Sequence, residues 1–139
     1  MFLGEYYHTI DAKGRLFIPA KFRDKLGEGF ILSKGFDKCI RVYPMAEWEK
    51  FVEKLEELPA AKDRRILRYF FSSADEGVID SQGRVTINQA MRSFANLEKE
   101  VVISGGCRHF EIWSIKDWEA EQKATDDALV IGELVDRGM

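Results

Sequence analysis

The sequence predicts an α+β fold, mainly β, made of two tandem β-β-α-β-β units with linking and flanking helices. Three observations lead there. The first is an internal repeat in the 139 residues. Ile10-Asp11-Ala12-Lys13-Gly14-Arg15-Leu16-Phe17-Ile18 matches Ile79-Asp80-Ser81-Gln82-Gly83-Arg84-Val85-Thr86-Ile87 at an offset of 69, and Ile31–Gly35 matches Val101–Gly105 at an offset of 70. The second is short apolar alternation around glycine turns, the signature of strands. The third is apolar spacing of 3, 4 and 7 between the two blocks, the signature of helices. Each unit is too small to bury a stable core alone. The two units are therefore expected to share one core, within the chain or through other subunits.

The elements follow in order. Thr9-Ile10-Asp11 ends a strand and Ala12-Lys13-Gly14 turns it, since glycine adopts positive φ without steric cost. Arg15–Ile18 is the return strand, so the segment reads as a tight hairpin. Val78-Ile79-Asp80, Ser81-Gln82-Gly83 and Arg84–Ile87 repeat it. Pro19 suits a helix start, where its missing N–H is no loss. Ala20–Leu26 is a short helix with Phe22 and Leu26 at i, i+4, stopped by Gly27. Its counterpart runs from Gln89 to Leu97. Phe30–Ser33 and Cys39–Tyr43 form a second hairpin, repeated by Val101–Ile103 and Phe110–Trp113.

Met45–Leu58 carries Trp48, Phe51, Val52, Leu55 and Leu58 on one helical stripe, and Pro59 ends it. Ala60–Ser73 is a further helix with Ile66, Leu67, Phe70 and Phe71 on one side. Ile115 to about Gln122 is a closing helix, and Thr125–Val135 is a weaker helix or a tail. The expected organisation is residues 1–50 for the first repeat and 51–75 for a helical linker. Residues 76–120 form the second repeat and 121–139 a C-terminal helix or tail.

Composition limits the function classes. Apolar residues make up 45% of the chain, enough to exclude disorder. No apolar run approaches a membrane span. The start, Met1-Phe2-Leu3-Gly4-Glu5-Tyr6, has no basic region before a long apolar one, so no secretory signal is expected. Two cysteines without an export signal point away from a disulfide framework and toward the cytosol. Cys107-Arg108-His109 is no zinc motif, because Cys39 stands where the repeat puts His109. No phosphate loop, nucleophile elbow or paired base and nucleophile occurs, so an enzyme is not expected.

Net charge is −3, which by itself argues against a nucleic-acid partner. The two copies differ, however. Residues 1–69 hold 14 basic and 11 acidic side chains, and residues 70–139 hold 7 and 13. Lys13, Arg15, Lys21, Arg23 and Lys25 crowd one hairpin and the helix after it, opposed by Asp11 and Asp24. A basic cluster in an acidic protein is a candidate polyanion site. Each hairpin also holds Asp-x-x-Gly-Arg: Asp11, Gly14 and Arg15, then Asp80, Gly83 and Arg84. The aspartates and glycines read as structural turn residues. Two roles are open to the arginines, pairing with the aspartate or contacting phosphate and guanine.

The duplicated Asp-x-x-Gly-Arg hairpin resembles the swapped-hairpin DNA-binding domain of the AbrB/SpoVT and MazE type. Phe2-Leu3-Gly4-Glu5-Tyr6, Ile18-Pro19-Ala20 with Arg23, and Tyr43-Pro44 with Trp48 are similar to the MraZ family of bacterial transcriptional regulators. The resemblance covers residues 1–120. It implies an AbrB/MazE-like swapped-hairpin barrel. It implies a cytoplasmic, nucleoid-associated repressor of the division and cell-wall gene cluster. Such a regulator binds promoter direct repeats in double-stranded DNA as a ring-like homo-oligomer. It implies DNA contacts at Arg15 first, then Lys13, Lys21 and Arg23, with Arg84 in the second copy. No cofactor, metal, membrane or small-molecule substrate is expected. The rival reading is an oligomeric antitoxin-like or scaffold module that presents the same hairpins to a protein.

Overall fold

Two antiparallel sheets organise the chain, and each draws strands from both repeats. The computed structural model describes residues 1–139, the side chains of residues 60–62 excepted. The first repeat supplies β1 (Glu5–Thr9), β2 (Arg15–Phe17), α1 (Ala20–Leu26), β3 (Phe30–Lys34), β4 (Ile40–Pro44) and α2 (Met45–Glu56). Helix α3 (Ala60–Phe71) leads into the second: β5 (Asp75–Gly77), β6 (Arg84–Thr86), α4 (Gln89–Phe94), β7 (Glu100–Gly105), β8 (Phe110–Ser114) and α5 (Ile115–Ala124). Helix α6 (Asp127–Asp136) follows, with the Asp126 side chain accepting from the Ala128 and Leu129 N–H groups at its start. The stretch after Thr125 is thus a helix.

The large sheet has the order β1-β7-β8-β4-β3-β5. Strand β1 of the first repeat pairs with β7 of the second, Tyr6 opposite Ile103. Strand β5 of the second repeat pairs with β3 of the first, Ile31 opposite Glu76. The repeats have exchanged their leading strands. The small sheet is the ribbon β2–β6, again one strand from each repeat, with Leu16 opposite Val85. The core they share lies within the chain: Leu16, Ile18, Phe22, Ile40 and Val42 of one repeat pack with Val85, Ile87, Met91, Phe110 and Ile112 of the other.

This exchange corrects the tight hairpin read from residues 9–18. The turn forms, but its arms meet only at the Ile10–Leu16 bridge, and the ladder of β2 belongs to β6. The second copy behaves alike, with an Ile79–Val85 bridge and a leading strand at Asp75–Gly77 rather than Val78–Asp80. The physical reason is burial. Pairing β2 with β6 directs Leu16 and Val85 into a common core, where both are almost fully buried. Hairpins closed within each repeat would leave two cores of half the size.

Strands β4 and β8 meet at the centre of the large sheet, where the repeats face each other. Arg41 stands opposite Glu111, two positions the repeat makes equivalent. Arg41 Nε lies 3.8 Å from Glu111 Oε2, and its guanidinium covers the Phe36 ring. Burial pushes the Glu111 carboxyl up. The His109 ring 3.7 Å away, the Trp113 N–H donating to it and the Arg41 guanidinium outweigh that and hold it below its usual range. Cys39, just before β4, is buried against Val102, Trp113 and Trp118, and burial pushes its thiol up to about 12. Trp118 is buried there, while its repeat partner Trp48 is half-buried against Tyr43 and Phe51.

Candidate nucleic-acid interface

Two sharp turns project at the ends of the β2–β6 ribbon. Asp11 Oδ1 accepts from the N–H groups of Lys13 and Arg15, both at 2.9 Å, and Asp80 Oδ1 accepts from Gln82 and Arg84 at 2.9 Å each. The second carboxylate oxygen takes the guanidinium: Arg15 Nε to Asp11 Oδ2 is 2.6 Å, and Arg84 Nε to Asp80 Oδ2 is 2.9 Å. Gly14 and Gly83 close the turns at φ +80° and +81°, the region that favours glycine. Both aspartates titrate below their ordinary 3.8. The backbone N–H of the following arginine is the main cause, with its guanidinium and the N–H of Lys13 or Gln82 adding to it.

The turns are locked across the repeat boundary. Ile18 N–H donates to the Gly83 carbonyl at 3.0 Å, and Ile87 N–H donates to the Gly14 carbonyl at 2.8 Å. Arg92 of α4 covers Gly14, where a Cβ would lie 3.0 Å from its guanidinium carbon, and donates Nε–H to the Ile87 carbonyl at 2.9 Å. Arg23 of α1 covers Gly83 so closely that a Cβ there would overlap it, and stacks 4.9 Å above the Phe17 ring. Each helix thus clamps the turn of the other repeat. Arg92 played no part in the site read from sequence. Its signal was present: the arginine recurs at the offset of 69 in a helix that otherwise changes.

The ribbon has a buried and an open face. Side chains alternate along a strand. With Leu16 and Val85 inward, Arg15, Phe17, Arg84 and Thr86 share the outer face. Arg15 stands opposite Thr86 and Arg84 opposite Phe17, so the two arginines flank the ribbon centre from opposite strands. Their side chains are 31% and 25% exposed. Each ion pair engages Nε and leaves the terminal amino groups toward solvent. Lys13 at the turn and Lys21 on α1 are exposed, whereas Arg23 is half-buried in its clamp. Sequence alone separated a basic first copy from a weaker second. The fold brings Arg84 onto the same surface as Arg15.

Two interleaved repeats, exchanged leading strands and Asp–Arg turns at both ends of one ribbon define a duplicated swapped-hairpin protein. The family described as "MraZ protein, putative antitoxin-like" matches residues 1–69 and again residues 70–129. A transcriptional regulator MraZ from Clostridium tetani is 48% identical over 135 residues, covering 96% of this chain and 95% of its own length. Another from Moorella thermoacetica is 48% identical over 129 residues, covering 91% and 90%. The chain belongs to the MraZ family, a family of transcriptional regulators rather than enzymes.

Proposed function

We propose that the chain is a DNA-binding transcriptional regulator whose contact surface is the outer face of the β2–β6 ribbon. The observation that carries this reading is the pair of arginines on that face, each pre-oriented by an aspartate. A two-stranded ribbon fits the major groove of B-DNA, where arginine reads guanine O6 and N7. Holding the guanidinium in advance lowers the entropy cost of that contact. Arg15 and Arg84 are the base-reading candidates. Lys13 and Lys21 are exposed phosphate contacts, and Arg23 both clamps Gly83 and adds positive potential beside Phe17. Asp11, Gly14, Asp80 and Gly83 hold the turns.

The finer reading is a repressor of the division and cell-wall gene cluster. It acts in the cytoplasm at the nucleoid and binds promoter direct repeats as a ring-like homo-oligomer. Four or five phosphate contacts per subunit give a salt slope of about −4. Several subunits on several repeats multiply a weak single contact through effective concentration. The test is a fluorescence titration of the chain against its own upstream DNA at two salt concentrations. Steep salt dependence is expected. Absence of DNA binding at low salt, together with a stable stoichiometric protein partner, would replace this reading with the antitoxin-like one.

A further inference from the structure

The two flanks of the large sheet should be equivalent, and they are not. In the first repeat Phe2 extends the line of β1 and pairs with Cys107 in both directions, 2.8 and 3.1 Å. Its ring packs on Phe22 and Phe110 at 5.2 and 5.4 Å, and Tyr6 packs on Phe22 at 5.2 Å. The register on the other flank puts Ala74 where Tyr6 stands and Met91 where Phe22 stands. The counterpart of Phe2 is Phe70, and there the chain is still helical. Phe70 packs away against Phe36 and Phe51. What the aromatic residues fill on one flank is a groove of about 640 Å³ on the other, floored by Ala74, Ala90, Met91 and Phe94. Tyr69 of α3, its ring 6.4 Å from that of Phe94, extends its apolar rim, and both Tyr69 and Ile66 one turn before it are exposed.

Helix α6 has the opposite problem. No residue of it is buried. Val130, Ile131, Leu134 and Val135 fall on one helical face at 39–62% exposure. A stripe of this kind marks an interaction surface. The charges match it to the groove. Residues 125–139 carry Asp126, Asp127, Glu133 and Asp136 against Arg137. The groove is lined by Lys34, whose ammonium lies 4.2 Å over Tyr69, and by Asp75, whose carboxylate accepts from the Asn88 amide, while Lys38 lies 4.6 Å over Phe94 at its edge, so basic groups outnumber acidic ones there. Arg65 precedes Tyr69 by one helical turn and is exposed.

We infer that α6 of one copy of this chain docks its apolar face into the α3–α4 groove of another. The inference rests on the reading of the chain as a self-assembling regulator and names the contact. The two surfaces differ, so the association is head-to-tail, the type that closes into a ring when the rotation permits. The occupied flank shows what the groove takes: large apolar side chains laid over Met91, as Phe2 and Tyr6 lie over Phe22. The occupant comes on a helix, an arrangement used wherever an amphipathic helix enters an apolar cleft.

Light scattering at micromolar concentration tests it. The full chain is expected at a multiple of 16.0 kDa. Ile131→Glu with Leu134→Glu, and separately Ala90→Trp, are expected to reduce the mass to that of one chain. All three positions are exposed, and circular dichroism checks that the fold persists. Leu134→Cys and Ala90→Cys chains, each carrying Cys107→Ser to remove the exposed thiol, are expected to cross-link when mixed and not when separate. A wild-type assembly that survives both variants, or mixed chains that do not cross-link, overturns the α6–groove contact and leaves self-assembly standing. A wild-type chain that runs as a monomer overturns both.

Discussion

The two turns of the ribbon are near copies, while the two flanks of the large sheet are not. At the turns, Asp11 and Asp80 make the same bonds to within a few tenths of an ångström, and the glycines differ by one degree of φ. At the flanks, Phe2, Tyr6 and Phe22 face Ala74, Met91 and a groove. The difference is one of closure. Each polar group of a turn has a single geometric partner, so little can change without leaving a donor or acceptor unmet. A flank is an apolar surface that any chain segment of suitable shape can cover. The segment around Phe2 and Tyr6 covers one. The covalent link through α3 draws the chain away from the other.

Truncating the equivalent core residue beneath each flank should break this comparison most strongly. Phe22→Ala should cost about 4 kcal/mol of unfolding free energy, and Met91→Ala about 2–3 kcal/mol because the groove beside it already lacks packing. Urea unfolding of both variants decides. Equal losses would mean that the two flanks are packed alike.

The ribbon face gives the next largest effect. Arg15→Ala should stay folded and lose about 1–3 kcal/mol of operator affinity, roughly five- to 150-fold. Arg84→Ala should lose a similar amount, because it shares the face despite its less basic copy. Fluorescence anisotropy separates the cases. Unchanged binding by the Arg84 variant would confine the contact to the first repeat, and unchanged binding by the Arg15 variant would remove it from the site.

The seam between repeats offers a smaller test. Arg41→Glu places like charges opposite each other and should cost about 1 kcal/mol, with Glu111→Arg in the same chain restoring most of it. A double variant no better than the single would show that the pair contributes nothing.

Acid should matter least. The folded values of Asp11 and Asp80 lie below their ordinary 3.8. Their contribution is therefore present above about pH 4 and lost as the pH falls through the lower folded values. It should be small, since both carboxylates are solvated. Melting curves from pH 6 to 3 should converge for wild type and Asp11→Asn at the acid end. A gap that widens on acidification would reverse the sign.

Much of this was legible in the chain. The repeat, the glycine turns, the Pro19 helix start and the burial of Phe22 and Leu26 all follow from local rules, and the structure keeps them. The pairing of β1 with β7 was not legible in local patterning; only the resemblance to swapped-hairpin domains implied it. Val85 and Leu16 carry the same alternation whether each strand pairs within its repeat or across it. The clamps of Arg23 and Arg92 depend on that exchange, so they were hidden with it.

By itself, the sequence determined a duplicated unit, its elements, the Asp–Arg turns and the family. These are set within a dozen residues by backbone sterics, spacing and side-chain hydrogen bonds. Tertiary structure alone decided which strands pair across the repeats and in what register, that Arg84 joins Arg15 on one face, and that one flank stays open beside a bare apolar helix. Those outcomes depend on which distant surfaces bury each other, and burial is a property of the whole chain rather than of any segment.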